Sequence, residues 1–305
     1  MGESLPRHRV TEDIPFGIPQ PLRPFARELA LPRAGVKLFY YDAGPADAPP
    51  MILVHGLGDE ADTWRRVIVP LSYSFRVIAA DLPGFGRSTL PVRRRPLSPP
   101  FLAGVMRELV EQLGIPSATW VGSSLGAGIA QLVALTWPAR AARLVLVDGG
   151  IQSRPGFRGA LGMLVPGPGE RRYRSFRENP EAAYDSLRPY YGNLDTLPAA
   201  ERKFLRERVL DRVSSDTQRK AYFSVYRSLV LWILRAGRGA TRRVRLLDPK
   251  SLYVWGSADR IIPIQVKNTR KARVAIVPGA GHLPHQESPE EFLGILREFT
   301  GQSAG

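Results

Sequence analysis

The sequence predicts an α/β fold in which a mostly parallel central sheet carries helices on both faces and is interrupted by a helical insertion. Short apolar runs alternate with helical patterns through residues 36–150, which is the order that buries parallel strands between helices. The alternation stops at residues 150–247, where helical patterns follow one another without a strand. Strands then resume at Ser251–Trp255. We therefore expect an N-terminal extension over residues 1–35, one core over 36–149 and 248–305, and a helical cap over 150–247.

Each strand of the core is predicted from a short apolar run bounded by glycine, proline or charged residues. The predicted strands are Val36–Ala43, Met51–Val54, Arg76–Asp81, Thr119–Gly122, Leu144–Asp148, Ser251–Trp255 and Arg273–Val277. Helices are predicted where apolar residues recur every three to four positions, and two of these patterns end at the stop signals Gly114 and Pro138. They are Trp64–Leu71, Phe101–Leu113, Leu125–Trp137, Glu181–Tyr190, Ala199–Val213, Gln218–Ala236 and Pro289–Thr300.

The composition is that of a globular chain without thiol chemistry. The 305 residues are 44% hydrophobic and 23% charged, with a mean hydropathy of −0.16, which is too apolar for a disordered chain. The absence of cysteine excludes disulfides, thiolate metal sites and a cysteine nucleophile. Only four histidines are present, which argues against a histidine-rich metal centre. We expect no metal and no cofactor, although a carboxylate-ligated ion remains open.

The charge is strongly basic. The formal net charge is +15, and 37 of the 43 cationic residues are arginine. Residues 150–247 hold 20 cations and 9 acidic residues, so most of the excess lies in the predicted cap. Neither a basic tail nor an interleaved nucleic-acid motif accompanies it, and we therefore expect no nucleic-acid partner. Peripheral contact between the basic cap and an anionic membrane remains open.

No segment of the sequence predicts membrane insertion or export. The longest apolar stretch near a helix, Leu229–Leu234, is far shorter than the roughly 20 residues that span a bilayer. Met1–Pro24 is rich in proline and charge and lacks the apolar core of a signal peptide. We therefore expect a cytoplasmic protein.

A nucleophilic serine is predicted at the turn between the Thr119–Gly122 strand and the helix that follows it. The turn reads Gly-Ser-Ser-Leu-Gly and fits the pattern Gly-x-Ser-x-Gly, in which small residues let backbones pass close to a strained turn. Register selects Ser124, because glycines flank it two positions away on either side, whereas valine and leucine would flank Ser123. The turn also places Ser124 at a helix N-terminus, where the helix dipole favours developing negative charge.

A serine hydroxyl is a weak nucleophile and needs a base, which an acid can orient. In strand–helix folds with this turn, the chain order is serine, acid, histidine. Asp259 follows the Ser251–Trp255 strand, and His282 follows the Arg273–Val277 strand. Both therefore lie at the edge where the carboxyl ends of parallel strands gather. We predict a catalytic triad of Ser124, Asp259 and His282.

Five motifs together resemble the α/β-hydrolase superfamily over roughly residues 36–150 and 248–300. They are His55–Gly58, Asp81–Ser88, Gly122–Gly126, the Asp259 region, and Gly279–His282 followed by Pro289–Phe292. The resemblance implies an α/β-hydrolase fold in which the insertion is the family's helical cap. It also implies that the backbone N–H groups of Leu57 and Leu125 form the oxyanion hole.

The resemblance further implies a serine hydrolase that cleaves carboxylic esters through an acyl-enzyme, of the carboxylesterase or monoacylglycerol-lipase type. The partner would be a small-molecule ester with an apolar acyl chain, and the inner face of the Tyr222–Leu234 helix could line its pocket. A carbon–carbon bond hydrolase remains an alternative, although such relatives typically have tryptophan after the catalytic histidine, where this chain has Leu283. An acyltransferase and a non-catalytic small-molecule receptor on the same fold remain open.

Several residues near the predicted site have alternative roles. Asp148, at the end of another strand, could replace Asp259 as the acid. His285 is expected to be a neighbour or a substrate-side residue rather than the base. His55 is expected to hold the oxyanion loop through hydrogen bonds, and residues 81–88 to shape a turn.

Residues 56–61 also fit the dinucleotide-binding pattern G-x-G-x-x-A, with Asp81 at plausible spacing. Asp59 and Glu60 argue against nicotinamide binding, because two carboxylates would repel a pyrophosphate. That alternative would also leave the serine turn and His282 without a role.

Overall fold

A nine-stranded sheet forms the centre of the molecule, with the strand order β1-β2-β3-β5-β4-β6-β7-β8-β9. The strands are β1 (His8–Arg9), β2 (Ala26–Leu31), β3 (Val36–Ala43), β4 (Pro50–Val54), β5 (Arg76–Ala80), β6 (Ala118–Ser123), β7 (Ala141–Val147), β8 (Ser251–Gly256) and β9 (Arg273–Val277). The pairings from β5 across to β9 are parallel, and those among β1, β2, β3 and β5 are antiparallel. The predicted α/β class with a mostly parallel sheet is confirmed.

The computed structural model describes residues 8–9, 17–151, 167–244, 247, 250–264 and 272–301. Parts of the predicted N-terminal extension and of the predicted cap, including residues 152–166, lie outside these ranges. Across the described chain, every helix is too short or too polar to traverse a lipid bilayer.

Helices cover both faces of the sheet. They are α1 (Arg65–Ser72), α2 (Pro99–Gln112), α3 (Leu125–Thr136), α4 (Pro168–Glu178), α5 (Pro180–Asp185), α6 (Ala199–Ser214), α7 (Asp216–Val244), α8 (Pro284–Glu287) and α9 (Pro289–Thr300). In β4, Ile52 and Val54 pack in a core with α2 and α3, whereas Met51 and Leu53 pack in a second core with α1 and α9. Because successive strand residues point to opposite faces, a strand covered on both sides must be continuously apolar.

The sheet begins earlier in the chain than the sequence predicts. Residues 26–31, assigned above to an N-terminal extension, form β2 and pair antiparallel with β3 along its length. The segment reads ARELAL, and alanine and glutamate are depleted in strands. Its extended conformation therefore depends on hydrogen bonds to β3, which a local pattern does not reveal.

Four helices, α4 to α7, make up the described part of the insertion between β7 and β8. Helix α4 is not predicted from the sequence, because glycine, proline and arginine dominate its surroundings. Pro168 starts this helix, and the Glu170 carboxylate accepts a hydrogen bond from the N–H of Gly167 at 2.7 Å. Local capping thus supports a helix that lacks a strong apolar stripe.

Candidate active site

The turn after β6 holds Ser124 in a strained conformation. Its φ of +53° and ψ of −111° are unusual for an L-residue, and Asp148 is the one other non-glycine residue with positive φ in the described chain. A Cβ at Gly122 would lie 2.2 Å from the Gly126 carbonyl oxygen, and one at Gly126 would lie 2.1 Å from the last carbonyl of β4. Ser123 lies within β6 and is buried. The strained position is therefore that of Ser124.

His282 and Asp259 form a hydrogen-bonded pair at the carboxyl edge of the sheet. His282 Nδ1 lies 2.8 Å from Asp259 Oδ2, and the Asp259 side chain is fully buried. The other carboxylate oxygen accepts hydrogen bonds from the N–H groups of Ile261 at 2.7 Å and Ile262 at 3.1 Å. The carboxylate therefore selects the tautomer with the proton on Nδ1, which leaves Nε2 as the acceptor.

Ser124 and His282 line the same cavity. Within the described residues, no hydrogen bond joins the Ser124 hydroxyl to the imidazole; such catalytic contacts are often long before substrate binds. Asp148, the alternative acid, has its Oδ1 occupied by the N–H of Gly256 at 3.0 Å and does not bond His282. Of the two candidate acids, Asp259 is the one that orients the imidazole.

Leu57 and Leu125 also line this cavity, together with Ser124. Leu125 is the first residue of α3, so its N–H has no partner within the helix. The described backbone hydrogen bonds give the N–H of Leu57 no acceptor either. Gly56 lies close to the serine, because a Cβ there would come 3.3 Å from the Ser124 Cβ. Two residues that line the cavity with Ser124 thus have backbone N–H groups without an acceptor in the described chain.

His55 stabilises the loop that carries Leu57 through two hydrogen bonds. Its Nε2 accepts a hydrogen bond from the N–H of Leu82 at 2.8 Å, and its Nδ1–H donates to the carbonyl oxygen of Gly56 at 2.7 Å. Burial lowers the pKa of His55, which keeps the imidazole neutral in this arrangement. The geometry matches the structural role expected for His55 from the sequence.

Residues 81–88 form a turn beneath this loop. Asp81 accepts hydrogen bonds from the N–H of Ala61 at 2.6 Å and from that of Arg87 at 2.8 Å. Burial raises the pKa of Asp81 to about 6. A Cβ at Gly86 would lie 2.3 Å from the Asp81 carboxylate, so the turn needs glycine there. Asp81 therefore shapes the backbone, as expected, and does not reach the cavity.

Asp59 and Glu60 form ion pairs with the insertion. Arg212 of α6 donates to both carboxylate oxygens of Glu60 at 2.7 Å and also contacts Asp59. One turn earlier in α6, Arg208 donates to the buried carboxylate of Asp62 at 2.8 Å. The acids that argued against a pyrophosphate are therefore the anchor points for the insertion.

The insertion also forms hydrogen bonds with the segment that carries His282. The His282 N–H donates to the carbonyl oxygen of Tyr190 at 2.7 Å. The Glu287 carboxylate accepts from the N–H groups of Gly281 at 2.7 Å and Gly192 at 2.8 Å, and burial raises its pKa to about 7. Sequence reasoning missed Tyr190, Gly192 and Glu287. The two glycines just before His282 were the available signal, because they permit close backbone approach.

His285 lies outside the cavity lining. Its Nε2 is 2.9 Å from the Thr63 hydroxyl, and its ring centroid is 4.2 Å from that of Trp64. The side chain is completely buried, and burial lowers its pKa well below the usual range. His285 is thus a packed neighbour of the site rather than its base.

The cavity has two lobes that meet at Ser124 and His282. The wide lobe, of about 400 Å³, extends under α4 to α6 and includes Arg172, Tyr173, Phe176, Arg212 and Gln286. The narrow lobe, of about 210 Å³, extends along α7 and is lined chiefly by Leu132, Leu229, Trp232, Ile233, Ile261 and Ile262. Tyr222 and Tyr226 line it as well, so one face of the Tyr222–Leu234 segment borders a largely apolar channel along its length.

One cluster in the described residues has the side chains that ligate metals. It comprises Asp148, Asp259 and His282, whose candidate ligand atoms all lie within 4.8 Å of one another. Within it, Asp259 and His282 already bond each other directly. The arrangement therefore offers few vacant donor positions to an ion.

Comparison with known proteins identifies the fold. A family model described as "Alpha/beta hydrolase family" matches residues 51–295. The chain is 29% identical to an uncharacterised protein of Mycobacterium tuberculosis over 82% of its own length and 75% of that protein. It is 28% identical to a pimeloyl-(acyl-carrier protein) methyl ester esterase of Edwardsiella ictaluri, over 86% and 96% respectively. Cfl2 of Burkholderia cenocepacia superposes with a TM-score of 0.74 at 22% identity, over 90% and 95% of the two chains.

Proposed function

Because the chain belongs to the α/β-hydrolase family, we propose that it is a serine hydrolase that cleaves carboxylic esters through an acyl-enzyme. The observation that carries this proposal is the convergence of Ser124, His282 and Asp259 beside one largely apolar cavity. A nucleophile on a strained turn, an oriented imidazole and a buried acid are the parts that acyl transfer requires. The similarity to a methyl ester esterase of Edwardsiella ictaluri supports an ester as the target bond.

In the proposed reaction, Ser124 attacks the ester carbonyl while His282 Nε2 accepts the hydroxyl proton. Asp259 stabilises the resulting imidazolium through its 2.8 Å contact. The N–H groups of Leu57 and Leu125 donate to the oxyanion, and each such donor typically contributes about 3 kcal/mol to transition-state stabilisation. His282 then protonates the leaving alcohol, and the acyl group remains on the serine oxygen.

Water completes the cycle at the same residues. His282 removes a proton from a water molecule as that water attacks the acyl-serine carbonyl, and the amide donors again hold the oxyanion. Collapse of this second intermediate releases the carboxylic acid and returns the proton to Ser124. One base therefore serves both halves of the reaction.

The narrow lobe is the proposed site of the acyl chain. Its aliphatic and aromatic lining, which includes Leu132 and Trp232, offers apolar surface but few hydrogen bonds. Each methylene group buried there contributes about 0.8 kcal/mol to binding. The wide lobe, which carries Arg172 and Gln286, is then left for the alcohol. An ester with an apolar acid and a more polar alcohol fits this division.

Substitution of the two adjacent serines tests the proposal. Ser124→Ala should abolish turnover of p-nitrophenyl esters and labelling by a serine-reactive phosphonate. Ser123→Ala is the matched control and should retain both, because its hydroxyl is buried within β6. Loss of turnover in Ser123→Ala alone would overturn the register, and labelling without turnover of any ester would favour a receptor.

Substrate comparisons separate the remaining alternatives. Rates on p-nitrophenyl esters should rise with acyl length until the narrow lobe is full. Leu132→Trp should shorten the acyl chain at which the rate stops rising, whereas Phe176→Trp, in the wide lobe, should leave that chain length unchanged. If the wild-type protein cleaves vinylogous diketones much faster than any ester, the carbon–carbon alternative replaces this proposal.

A further inference from the structure

Asp148 is a second buried acid beside the proposed triad, and the proposed mechanism does not use it. It follows β7 with a φ of +45°, and its side chain is completely buried. The N–H of Asp148 donates to the carbonyl oxygen of Val254 at 2.9 Å, which fixes the backbone against β8. A strained, fully buried carboxyl group is costly, so its surroundings decide what it contributes.

The surroundings of Asp148 are acidic. The carboxyl groups of Asp259 and Glu287 lie near it, and both raise the pKa of Asp148 on top of the effect of burial. Asp148, Asp259 and His282 have polar atoms within 4.8 Å of one another, and no arginine or lysine in the described residues forms an ion pair with Asp148. Two carboxylates this close in a buried site do not both ionise, because neither can be solvated or neutralised.

The hydrogen bonds show which carboxyl group keeps the charge. Asp259 accepts hydrogen bonds from two backbone N–H groups and faces His282 Nδ1 at 2.8 Å. Asp148 accepts one hydrogen bond, from the N–H of Gly256 to Oδ1, and its Oδ2 has no donor in the described chain. Donors favour the ionised form, so the charge belongs on Asp259 and the shared proton on Asp148.

We propose that Asp148 is a neutral carboxylic acid that donates its O–H to the Asp259 carboxylate and so positions the acid of the triad. The donated hydrogen bond completes the shell around Asp259 and limits the charge next to His282 to one. A second negative charge there would hold the imidazole in its protonated form, which cannot accept the serine proton. Asp148 is thus a positioning residue, and this inference rests on the proposed function only for its kinetic consequences.

Two substitutions distinguish this role from simple packing. Asp148→Asn keeps both the shape and a donor, and asparagine tolerates positive φ, so kcat should stay within about twofold of wild type. Asp148→Gly also tolerates the backbone but removes the donor, and kcat should fall roughly tenfold or more, as for loss of a hydrogen bond to a charged group. KM should change little in either variant, because Asp148 does not line the described cavity.

The pH profile adds a readout that packing would not move. Asp148, Asp259, His282 and Glu287 are the titratable groups that meet here, from β7, β8 and the segment after β9. In the wild-type protein kcat should decline as the pH rises through the raised pKa of Asp148 and this group loses its proton. Asp148→Asn cannot ionise and should lack that decline, while Glu287→Gln should keep it.

Infrared spectroscopy tests the proton itself without any substrate. At pH 7 the wild-type band of protonated carboxyl groups should include Asp148 and part of Glu287, whose pKa burial raises to about 7. Asp148→Asn should remove one component of that band, and Glu287→Gln should leave that component in place. A spectrum unchanged by Asp148→Asn would overturn the inference, as would an Asp148→Asn kcat as low as that of Asp148→Gly. If the band behaves as expected but no ester is turned over, the proposed function fails and the protonation of Asp148 stands.

Discussion

Arg212 provides a quantitative test of how the insertion is held to the core. Its guanidinium spans Asp59 and Glu60, and the Glu60 side chain is fully buried. Arg212→Ala would leave that carboxylate with Arg208 as its nearest remaining cation, at 3.5 Å. Breaking a buried pair by removing one partner costs about 3–5 kcal/mol, because the other charge stays desolvated. Because Arg208 still faces Glu60, we expect Arg212→Ala to lower the free energy of unfolding by about 3 kcal/mol, the lower end of that range.

The assay is urea unfolding followed by tryptophan fluorescence, since Trp64, Trp120 and Trp255 are buried. Arg188→Ala is the matched control, because Arg188 pairs with Asp185 and Asp195 in the same insertion but on the exposed surface. Its stability should equal that of wild type, as is usual for exposed ion pairs. Equal stability of the Arg212 and Arg188 variants would refute the argument that buried charge makes the difference.

Three further substitutions probe the histidine loop and helix α9. Glu287→Gln should flatten the decline in unfolding free energy from about pH 4.5 to 7, because the native state keeps a proton that the unfolded chain releases; an unchanged slope in urea titrations contradicts this. Gly192→Ala should lower kcat in steady-state assays, since its Cβ would lie 2.0 Å from the Gly279 carbonyl oxygen and would displace the loop that carries His282; a wild-type kcat would disprove that this contact positions His282. Gly294→Ala should raise unfolding free energy by about 0.5–1 kcal/mol, because nothing lies within 4 Å of the added Cβ; a lower melting temperature argues otherwise.

Features encoded by short-range patterns could be predicted from the sequence. The continuous apolar run of β4 and the small residues around Ser124 each constrain a few neighbouring positions. The chain order of Ser124, Asp259 and His282 then placed three distant residues at one sheet edge. The structure brings Asp259 and His282 into contact at 2.8 Å, and it sets Ser124 on the wall of the same cavity.

Features that depend on distant partners could not be predicted. Arg212 and Glu60 are 152 positions apart, and Gly192 and Glu287 are 95 apart, so no spacing rule connects them. The arginine excess of the insertion suggested contact with an anionic surface. Contact with an anionic membrane stays a prediction. Many of these arginines pair with acids of the chain, among them Arg177, Arg206, Arg208, Arg212 and Arg227. Composition counts charges but does not show which of them are paired.

The insertion holds the proposed site from both sides. Through Arg212 it contacts the loop that presents the Leu57 amide, and through the Tyr190 carbonyl it contacts the loop that presents His282. Displacing the insertion would therefore disturb the proposed oxyanion donor and the proposed base together, rather than only uncover the cavity. The same helices line the wide lobe. In the proposed reaction, one set of helices would therefore both border the bound substrate and position the loops that carry the proposed catalytic groups.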